Sequence, residues 1–369
     1  MGVAGHEHTA DVFAERLLQV IDEGRRTATY KLALLLALID ACAAGADADG
    51  RAPRHLHTRT IATHVLRLYL PQVRLYLAGD GDELQLRQIT NKQSAVLASV
   101  LRLHLVAEQH RCRTIGEIER RLPTDYASTL DDVEHTFARY PLRLLQVVGH
   151  QPLPFLYDVD WGESVTLRTL HAEGGGDVRF RPGAGDHLLR LAPLLRPLIE
   201  LHWTRMVAGL NHVAVEDERL RHHLFGVDRT AFPAALRSGL ADLQDGSCFY
   251  CGDHLPAKTQ VDHVLPWSRW PNDAIENLVL ADACNSHKHD YVPALVHVDR
   301  WAHRLVAHAD DLAAIAASAR WESDPARSLA LMRSCYAHLP AGTPLWLAAD
   351  EFTVDDPAHI TALLADLPA

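Results

Sequence analysis

One stretch in the carboxyl-terminal half of the chain decides how the rest is interpreted. Residues 247–291 read SCFYCGDHLPAKTQVDHVLPWSRWPNDAIENLVLADACNSHKHDY. The stretch contains a Cys-x-x-Cys pair, an Asp-His step, an Asn-Leu step and a Cys-Asn step followed by His, Lys and His. Each feature is weakly informative alone, since an Asp-His dipeptide can simply form an internal hydrogen bond. Together, in this order and within one short segment, they form a specific pattern.

The order of these residues resembles the HNH endonuclease family, which is built on the ββα-metal fold. The family pattern is approximately Cys-x-x-Cys, then Asp-His-x-x-Pro, then Asn-Leu, then Cys-(Asn or His)-x-x-Lys. The matching positions here are Cys248 and Cys251, Asp262-His263 with Pro266, Asn277-Leu278, and Cys284-Asn285 with Lys288. The phrases CFYCG and VDHxxPWSRWPND are similar to a bacterial branch in which Cys-x-x-Cys precedes the Asp-His motif.

The resemblance implies a catalytic site for phosphodiester hydrolysis. Asp262 would bind one divalent ion, Mg²⁺ or Mn²⁺, and His263 would be the general base that activates a water molecule. Adjacent strand residues point to opposite sides, so one can hold the ion while the other faces the water. Asn277 would orient the base by a hydrogen bond.

A helix is expected to begin after Cys284 and to supply further ligands. Asn285 and His289 lie four residues apart, a spacing that places both on one helical face and lets both reach one ion. His289 is the expected second ligand of the catalytic ion, with Asn285 supporting it and His287 as the alternative.

Three further residues are expected to contact nucleic acid. Lys288 would lie near a phosphate, and Trp267 and Arg269 would line the path of the nucleic acid. Local charge opposes this interpretation, because residues 245–291 carry seven acidic side chains against three basic ones. The formal net charge of the whole chain is also negative, at -11, so other parts of the chain would have to supply most phosphate contacts.

A second, structural metal site is expected at the cysteines. Thiolates favour Zn²⁺, and a Cys-x-x-Cys turn presents two sulfurs to one tetrahedral ion. Cys248 and Cys251 would supply two ligands and Cys284 a third. A second Cys-x-x-Cys would need cysteine at the position of Ala281, so the fourth ligand comes from elsewhere, with Asp282 or His254 nearest. A degenerate site without metal is the alternative.

Composition limits the remaining choices. The chain has 369 residues, of which 48% are hydrophobic and 22% charged, and this is typical of a globular protein with a sizeable core. Three of the six cysteines fall in the motif and the others are scattered, which suits a reducing compartment rather than a disulfide framework. No secretory signal pattern and no apolar run long enough for a bilayer is found, so the expected location is the cytoplasm, without a membrane partner.

The predicted fold is mainly α with a small α+β cassette. Residues 1–230 would form a helical amino-terminal domain for target or partner recognition, with a short β-hairpin near 165–182, where two alternating segments flank three glycines. Residues 240–295 would form the ββα-metal nuclease domain, and residues 296–369 a helical carboxy-terminal extension.

The sequence therefore predicts an HNH endonuclease that cuts DNA with one divalent ion and a histidine base. Defence against foreign DNA is a hypothesis that depends on the resemblance alone. Two alternatives stay open at this point: a zinc-stabilised module that binds nucleic acid without cutting it, and a ribonuclease with the same site. A protein partner bound through the amino-terminal domain also stays open.

Overall fold

The computed structural model describes residues 10–23, 28–77, 83–90, 94–148, 151–212, 217–226, 232–257, 259–354 and 357–368. The chain is 57% helical, which confirms the predicted mainly α class. It divides into two compact units. Unit 1 comprises Met1–Cys42, Pro53–Cys112 and Ile118–Gly226, and unit 2 comprises Ala43–Ala52, Arg113–Glu117 and Val227–Ala369.

The regular elements are short apart from a few long helices. The helices are α1 (Ala10–Glu23), α2 (Tyr30–Ala44), α3 (Thr58–Tyr69), α4 (Ala95–Gln109), α5 (Ile115–Arg121), α6 (Pro123–Arg139), α7 (Pro141–Leu144), α8 (Leu167–Leu170), α9 (Ala184–Asn211), α10 (Asp217–Phe225), α11 (Ala234–Leu243), α12 (Cys284–Lys288), α13 (Leu295–Ala307), α14 (Ala309–Ala319), α15 (Pro325–Ala337) and α16 (Pro357–Ala365). The strands are β1 (His55–His57), β2 (Tyr76–Leu77), β3 (Glu83–Leu84), β4 (Val147–Val148), β5 (Gln151–Pro152), β6 (Tyr157–Asp158), β7 (Asp177–Phe180), β8 (Gln260–His263), β9 (Leu278–Ala281), β10 (Leu345–Ala348) and β11 (Glu351–Thr353).

Helix α2 lies in the core of unit 1. Every residue from Leu32 to Ile39 is at most 1% exposed. Its sequence is apolar on all faces, which is stable in water only where neighbouring elements cover the whole helix. Helix α2 is therefore a core element of unit 1.

The predicted β-hairpin near residues 165–182 is wrong in its first strand. Residues 167–170 form the helical turn α8, capped by the side-chain oxygen of Thr166. The second predicted strand exists as β7, but it pairs antiparallel with β1 and β6. Gly176, with a φ of +71°, accepts a hydrogen bond from the amide of Thr58 at 2.8 Å and so directs β7 toward β1. The pairing of β7 is therefore set by strand β1, which lies far from it in the sequence.

In unit 2, β9 lies in the core. Strand β9 is buried along its whole length, at 1% exposure or less, and α11 contacts both this strand and α14. The core cluster of this unit comprises Phe232, Leu236, Leu240, Ile275, Leu278, Leu280, Leu312, Ala316, Ala319 and Trp321.

The segment after residue 295 is not wholly helical as predicted, because β10 and β11 form a hairpin. Trp346 of β10 is 1% exposed, and its backbone amide donates to the carbonyl of Val292 at 2.9 Å. Its carbonyl accepts from the amide of Ala294 at 2.8 Å. The hairpin is therefore attached to the chain just after α12. Within the described ranges, no helix has the length and apolar character needed to cross a membrane.

Candidate active site and metal centre

The Asp-His step lies at the end of a two-stranded antiparallel pair. Asp262 of β8 is opposite Val279 of β9, and His263 is opposite Leu278. Helix α12 begins shortly after β9 ends. Residues 260–288 thus form the β-β-α succession that the sequence predicts.

Asp262 is buried and bound through a single oxygen. Its Oδ2 accepts a hydrogen bond from the Tyr250 hydroxyl at 2.5 Å and lies 3.0 Å from the Lys288 ammonium. Burial raises the pKa of Tyr250 well above its usual value, and the charge of Asp262 adds to this effect, so the phenol keeps the proton that it donates. Among the described residues, none forms a hydrogen bond with the other oxygen, Oδ1. That oxygen remains available to an ion.

His263 is bound to a carboxylate that sequence reasoning did not single out. Its Nε2 lies 2.7 Å from Oδ1 of Asp273. An ionised carboxylate can only accept, so this contact places the ring proton on Nε2 and leaves the Nδ1 lone pair for a base. The ring is flanked by Trp267 and Phe232, with centroid distances of 5.5 and 6.2 Å. The only sequence signal for Asp273 is its place in the loop between the two motif strands.

Asn277 acts on the backbone of that loop rather than on the histidine ring. Its Oδ1 accepts from the amide of Leu265 at 2.8 Å, and its Nδ2 donates to the carbonyls of Leu265 and Asn272 at 3.1 and 3.0 Å. In place of the expected hydrogen bond between Asn277 and His263, the ring of His263 donates to Asp273. Asn277 contributes indirectly, because it fixes the loop from which Asp273 projects.

The predicted helical pair of Asn285 and His289 does not form. Helix α12 ends at Lys288, and His289 has a φ of +46°, outside the helix and exposed. The four-residue spacing therefore no longer places the two side chains on one face. Asn285 instead donates a hydrogen bond to Gln260, two residues before Asp262 on the same face of β8. Asn285, rather than His289, therefore lies beside the face of β8 that carries Asp262. His287, the alternative second ligand, is exposed.

Lys288 contacts a carboxylate where the sequence predicts a phosphate. It is fully buried, and its ammonium donates to the carbonyl of His263 at 2.8 Å and pairs with Asp262. Burial of an ammonium is costly unless a partner neutralises it, and Asp262 is that partner. Trp267, which contacts His263, and Arg269 are both partly exposed next to the β8 end of the loop.

Three cysteines and one aspartate converge on a single point. One ligand atom from each of Cys248, Cys251, Asp282 and Cys284 lies within 4.8 Å of all the others. The two carboxylate oxygens of Asp282 accept from the thiols of Cys248 and Cys251 at 3.3 and 3.4 Å. His254, the other predicted candidate for fourth ligand, is exposed and outside this cluster.

The groups of this cluster shift one another's pKa values through burial and hydrogen bonds. Burial raises the pKa of Cys251 to about 11, with the neighbouring Cys248 and Asp282 adding to it. Burial and the hydrogen bond to Asp282 likewise raise the pKa of Cys284. For Asp282, burial alone would raise the pKa, but hydrogen bonds from the Cys284 amide and the thiols outweigh it and lower the value to about 2.

The donor set fits a zinc ion. Tetrahedral zinc with bonds of about 2.3 Å to sulfur separates its ligand atoms by about 3.8 Å. The four ligand atoms of this cluster all lie within 4.8 Å of one another, which includes that distance. Three sulfur donors suit a soft metal, and four protein ligands leave no open position, as in structural sites. A cation here would also stabilise thiolates against the burial that now disfavours them.

Two family models match the chain. A domain of unknown function (DUF8808) matches residues 11–224, more than half of the chain, and an HNH endonuclease model matches residues 248–294. The chain belongs to the DUF8808 family. Its residues 248–294 are an HNH domain, as the motif predicts. No curated protein and no solved structure matches the chain.

Most of the acidic side chains in residues 245–291 have partners in the folded chain, which bears on whether this segment can approach nucleic acid. Asp262 is paired with Lys288, Asp273 with His263, and Asp282 with thiols. Glu276 is buried and accepts from the Ser323 hydroxyl at 2.6 Å. Four of the seven acidic side chains thus have polar partners in the folded chain, so fewer of them are left to repel phosphate than the sequence count suggests.

The segment after the HNH domain supports the active-site strands. The buried guanidinium of Arg304, on α13, donates to the carbonyls of Leu278 and Glu276 at 2.8 and 2.6 Å. The indole of Trp301 donates to the same Glu276 carbonyl at 2.7 Å. Arg304 therefore satisfies carbonyls at the start of β9, a role that the motif did not reveal.

Proposed function

We propose that the chain is a metal-dependent endonuclease that hydrolyses phosphodiester bonds of DNA. The observation that carries this proposal is the adjacent pair of Asp262 and His263, one with a free carboxylate oxygen and the other with Asp273 on its Nε2. A nuclease needs a cation site and a base beside each other, and the HNH domain provides this pair.

The protein residues have separate tasks in this mechanism. Nδ1 of His263 takes the proton from the attacking water, and Asp273 holds the ring in the tautomer that makes this proton transfer feasible. Asp262 and Asn285 are the proposed ligands of Mg²⁺ or Mn²⁺, both oxygen donors of the type that these ions prefer. When bound there, the ion would offset the charge that builds on the phosphate and on the leaving oxygen.

The remaining assignments extend this proposal. Zn²⁺ is the proposed ion of the cysteine cluster, and Trp267 and Arg269 are the proposed nucleic-acid contacts. The DUF8808 region is proposed to select the target or to bind a protein partner, and the free cysteines support a cytoplasmic location. Defence against foreign DNA depends on the family resemblance alone and stays a hypothesis.

One observation favours a second function, binding of nucleic acid without cleavage. Lys288 already neutralises Asp262, and the His263 side chain is only 8% exposed. A neutralised carboxylate attracts a divalent ion less strongly, and a buried ring admits water less readily. The cysteine cluster would then stabilise a module that only binds nucleic acid.

Nicking of supercoiled plasmid in the presence of Mg²⁺, Mn²⁺ or EDTA tests the proposal, with His263→Ala as the matched variant. The expected result is ion-dependent nicking by the wild type that disappears in the variant, while both proteins retard DNA equally in a gel. Retardation without nicking by the wild type under any ion would support the binding module. Parallel assays with an RNA of the same sequence distinguish the ribonuclease, which would cut RNA in preference.

A further inference from the structure

The Cys-x-x-Cys turn does more than present two sulfurs, because one of the two residues between them contacts Asp262. Tyr250 follows Phe249 in the turn, and the residue is 4% exposed. Its hydroxyl donates to Oδ2 of Asp262 at 2.5 Å. A side chain of the cysteine cluster's own turn thus ends on the proposed ligand of the catalytic ion.

The Tyr250 ring is held from the carboxy-terminal segment. Trp346 and His297 each approach it edge-on, with centroid distances of 5.2 Å. Arg300 donates to the backbone carbonyl of Tyr250 at 2.8 Å and also to that of Phe249. Both the ring and the backbone of Tyr250 are fixed, so the position of its hydroxyl is fixed as well.

The consequence for Asp262 concerns which oxygen faces an ion. Tyr250 and Lys288 both approach Oδ2, and in the described part of the chain no hydrogen bond reaches Oδ1. Two donors on one oxygen stop the carboxylate from rotating and present the other oxygen alone. Partners of this type, which orient a ligand without touching the ion, commonly change metal affinity by about 10- to 100-fold.

We propose that Tyr250 is a positioning residue that fixes Asp262 for the divalent ion, so that the turn of the cysteine cluster also sets the geometry of the catalytic ligand. This inference depends on the proposed function, in which Asp262 binds that ion. Tyr250 does not touch the substrate or the ion itself.

The test is Tyr250→Phe, which removes only the hydroxyl. The matched control is Tyr336→Phe in the same unit, which removes an equally buried hydroxyl that donates to the carbonyl of Pro293 at 2.6 Å, away from Asp262. Mn²⁺ binding is measured by electron paramagnetic resonance on zinc-loaded protein without nucleic acid. Asp262→Ala gives the baseline for a lost site.

We expect Tyr250→Phe to weaken Mn²⁺ binding by about 10- to 100-fold at unchanged zinc content, and Tyr336→Phe to leave Mn²⁺ binding unchanged. In the cleavage assay, Tyr250→Phe should need proportionally more Mn²⁺ for half-maximal nicking yet approach the wild-type rate at saturation. A higher Mn²⁺ requirement together with an unchanged rate at saturation is not expected from a general loss of stability.

Three outcomes would overturn the role of Tyr250: unchanged Mn²⁺ binding in Tyr250→Phe, an equal loss in both phenylalanine variants, or no Mn²⁺ binding by the wild type. The last would overturn the catalytic ion site as well. If the wild type cuts neither DNA nor RNA while Tyr250→Phe alone binds Mn²⁺ more weakly, the proposed function fails and the role of Tyr250 stands. The two ideas can therefore fail separately.

Discussion

Replacement of Asp273 by Asn is the most direct test of His263 as a general base that Asp273 orients. Asn keeps the shape of the side chain, but its amide can donate to Nε2 of His263 and so move the ring proton to Nδ1, where it blocks the base. The backbone carbonyl of residue 273, which accepts from the Trp321 indole at 2.6 Å, is unaffected. The variant should therefore fold normally and differ only at the ring.

The expected loss of cleavage rate follows from the hydrogen bond between His263 and Asp273. A hydrogen bond to a charged group is worth about 1.5–3 kcal/mol, which corresponds to a loss of roughly 10- to 150-fold in rate. Asp273 is 33% exposed, and solvent weakens its interaction with His263, so the lower end is expected. Complete loss of the base in His263→Ala should cost more, about 10²- to 10⁴-fold.

The assay is single-turnover nicking of plasmid at saturating Mn²⁺, with far-ultraviolet circular dichroism as the check on folding. Asp245→Asn is the control, because it also removes an exposed acidic charge near the HNH domain, and Asn tolerates the φ of +50° at that position. Asp245→Asn should cut at the wild-type rate. Wild-type rates for Asp273→Asn, or a loss as large as that of His263→Ala, would refute the proposed division of tasks.

Three further predictions concern the surroundings of the site. Lys288→Met leaves Asp262 as an uncompensated buried charge and should lower the free energy of unfolding by about 3–5 kcal/mol without divalent ions, with partial recovery in Mn²⁺; denaturant titrations that match the wild type would contradict the pairing. Chelation of zinc, or Cys251→Ala, should lower the melting temperature of unit 2 and reduce the metal content measured by mass spectrometry from one zinc per chain to none. If the wild-type protein contains no zinc and chelation leaves its melting temperature unchanged, the result indicates the degenerate site without metal. Burial lowers the pKa of His297, so the unfolded chain binds protons more readily, and the free energy of unfolding should fall as the pH drops below about 6.5; His297→Asn should reduce this slope, and an unchanged slope would exclude His297 as its source.

Part of the candidate site could be read from residue order because its chemistry is local. A Cys-x-x-Cys turn brings two sulfurs together in any fold, and adjacent residues of a strand always face opposite sides. Local geometry pairs Cys248 with Cys251 and separates Asp262 from His263, and the resemblance to the HNH family implies the roles of these residues. His289 shows the limit of the same reasoning, since a spacing of four residues places side chains together only if the helix continues through both.

The sequence by itself determined the mainly helical class, the buried helix α2, the β-β-α segment and the cysteines of the candidate metal site. The tertiary structure decided which groups complete them. Asp273 reaches His263 from within a loop, Tyr250 and Lys288 reach Asp262 from a turn and from α12, and Asp282 rather than His254 joins the cysteines. The pairing of β7 with β1 belongs to the same group. Local patterns depend on dihedral angles and spacing along the chain, whereas these contacts arise because a buried charge or polar group needs a partner, and the partner is whichever group the packed chain brings near.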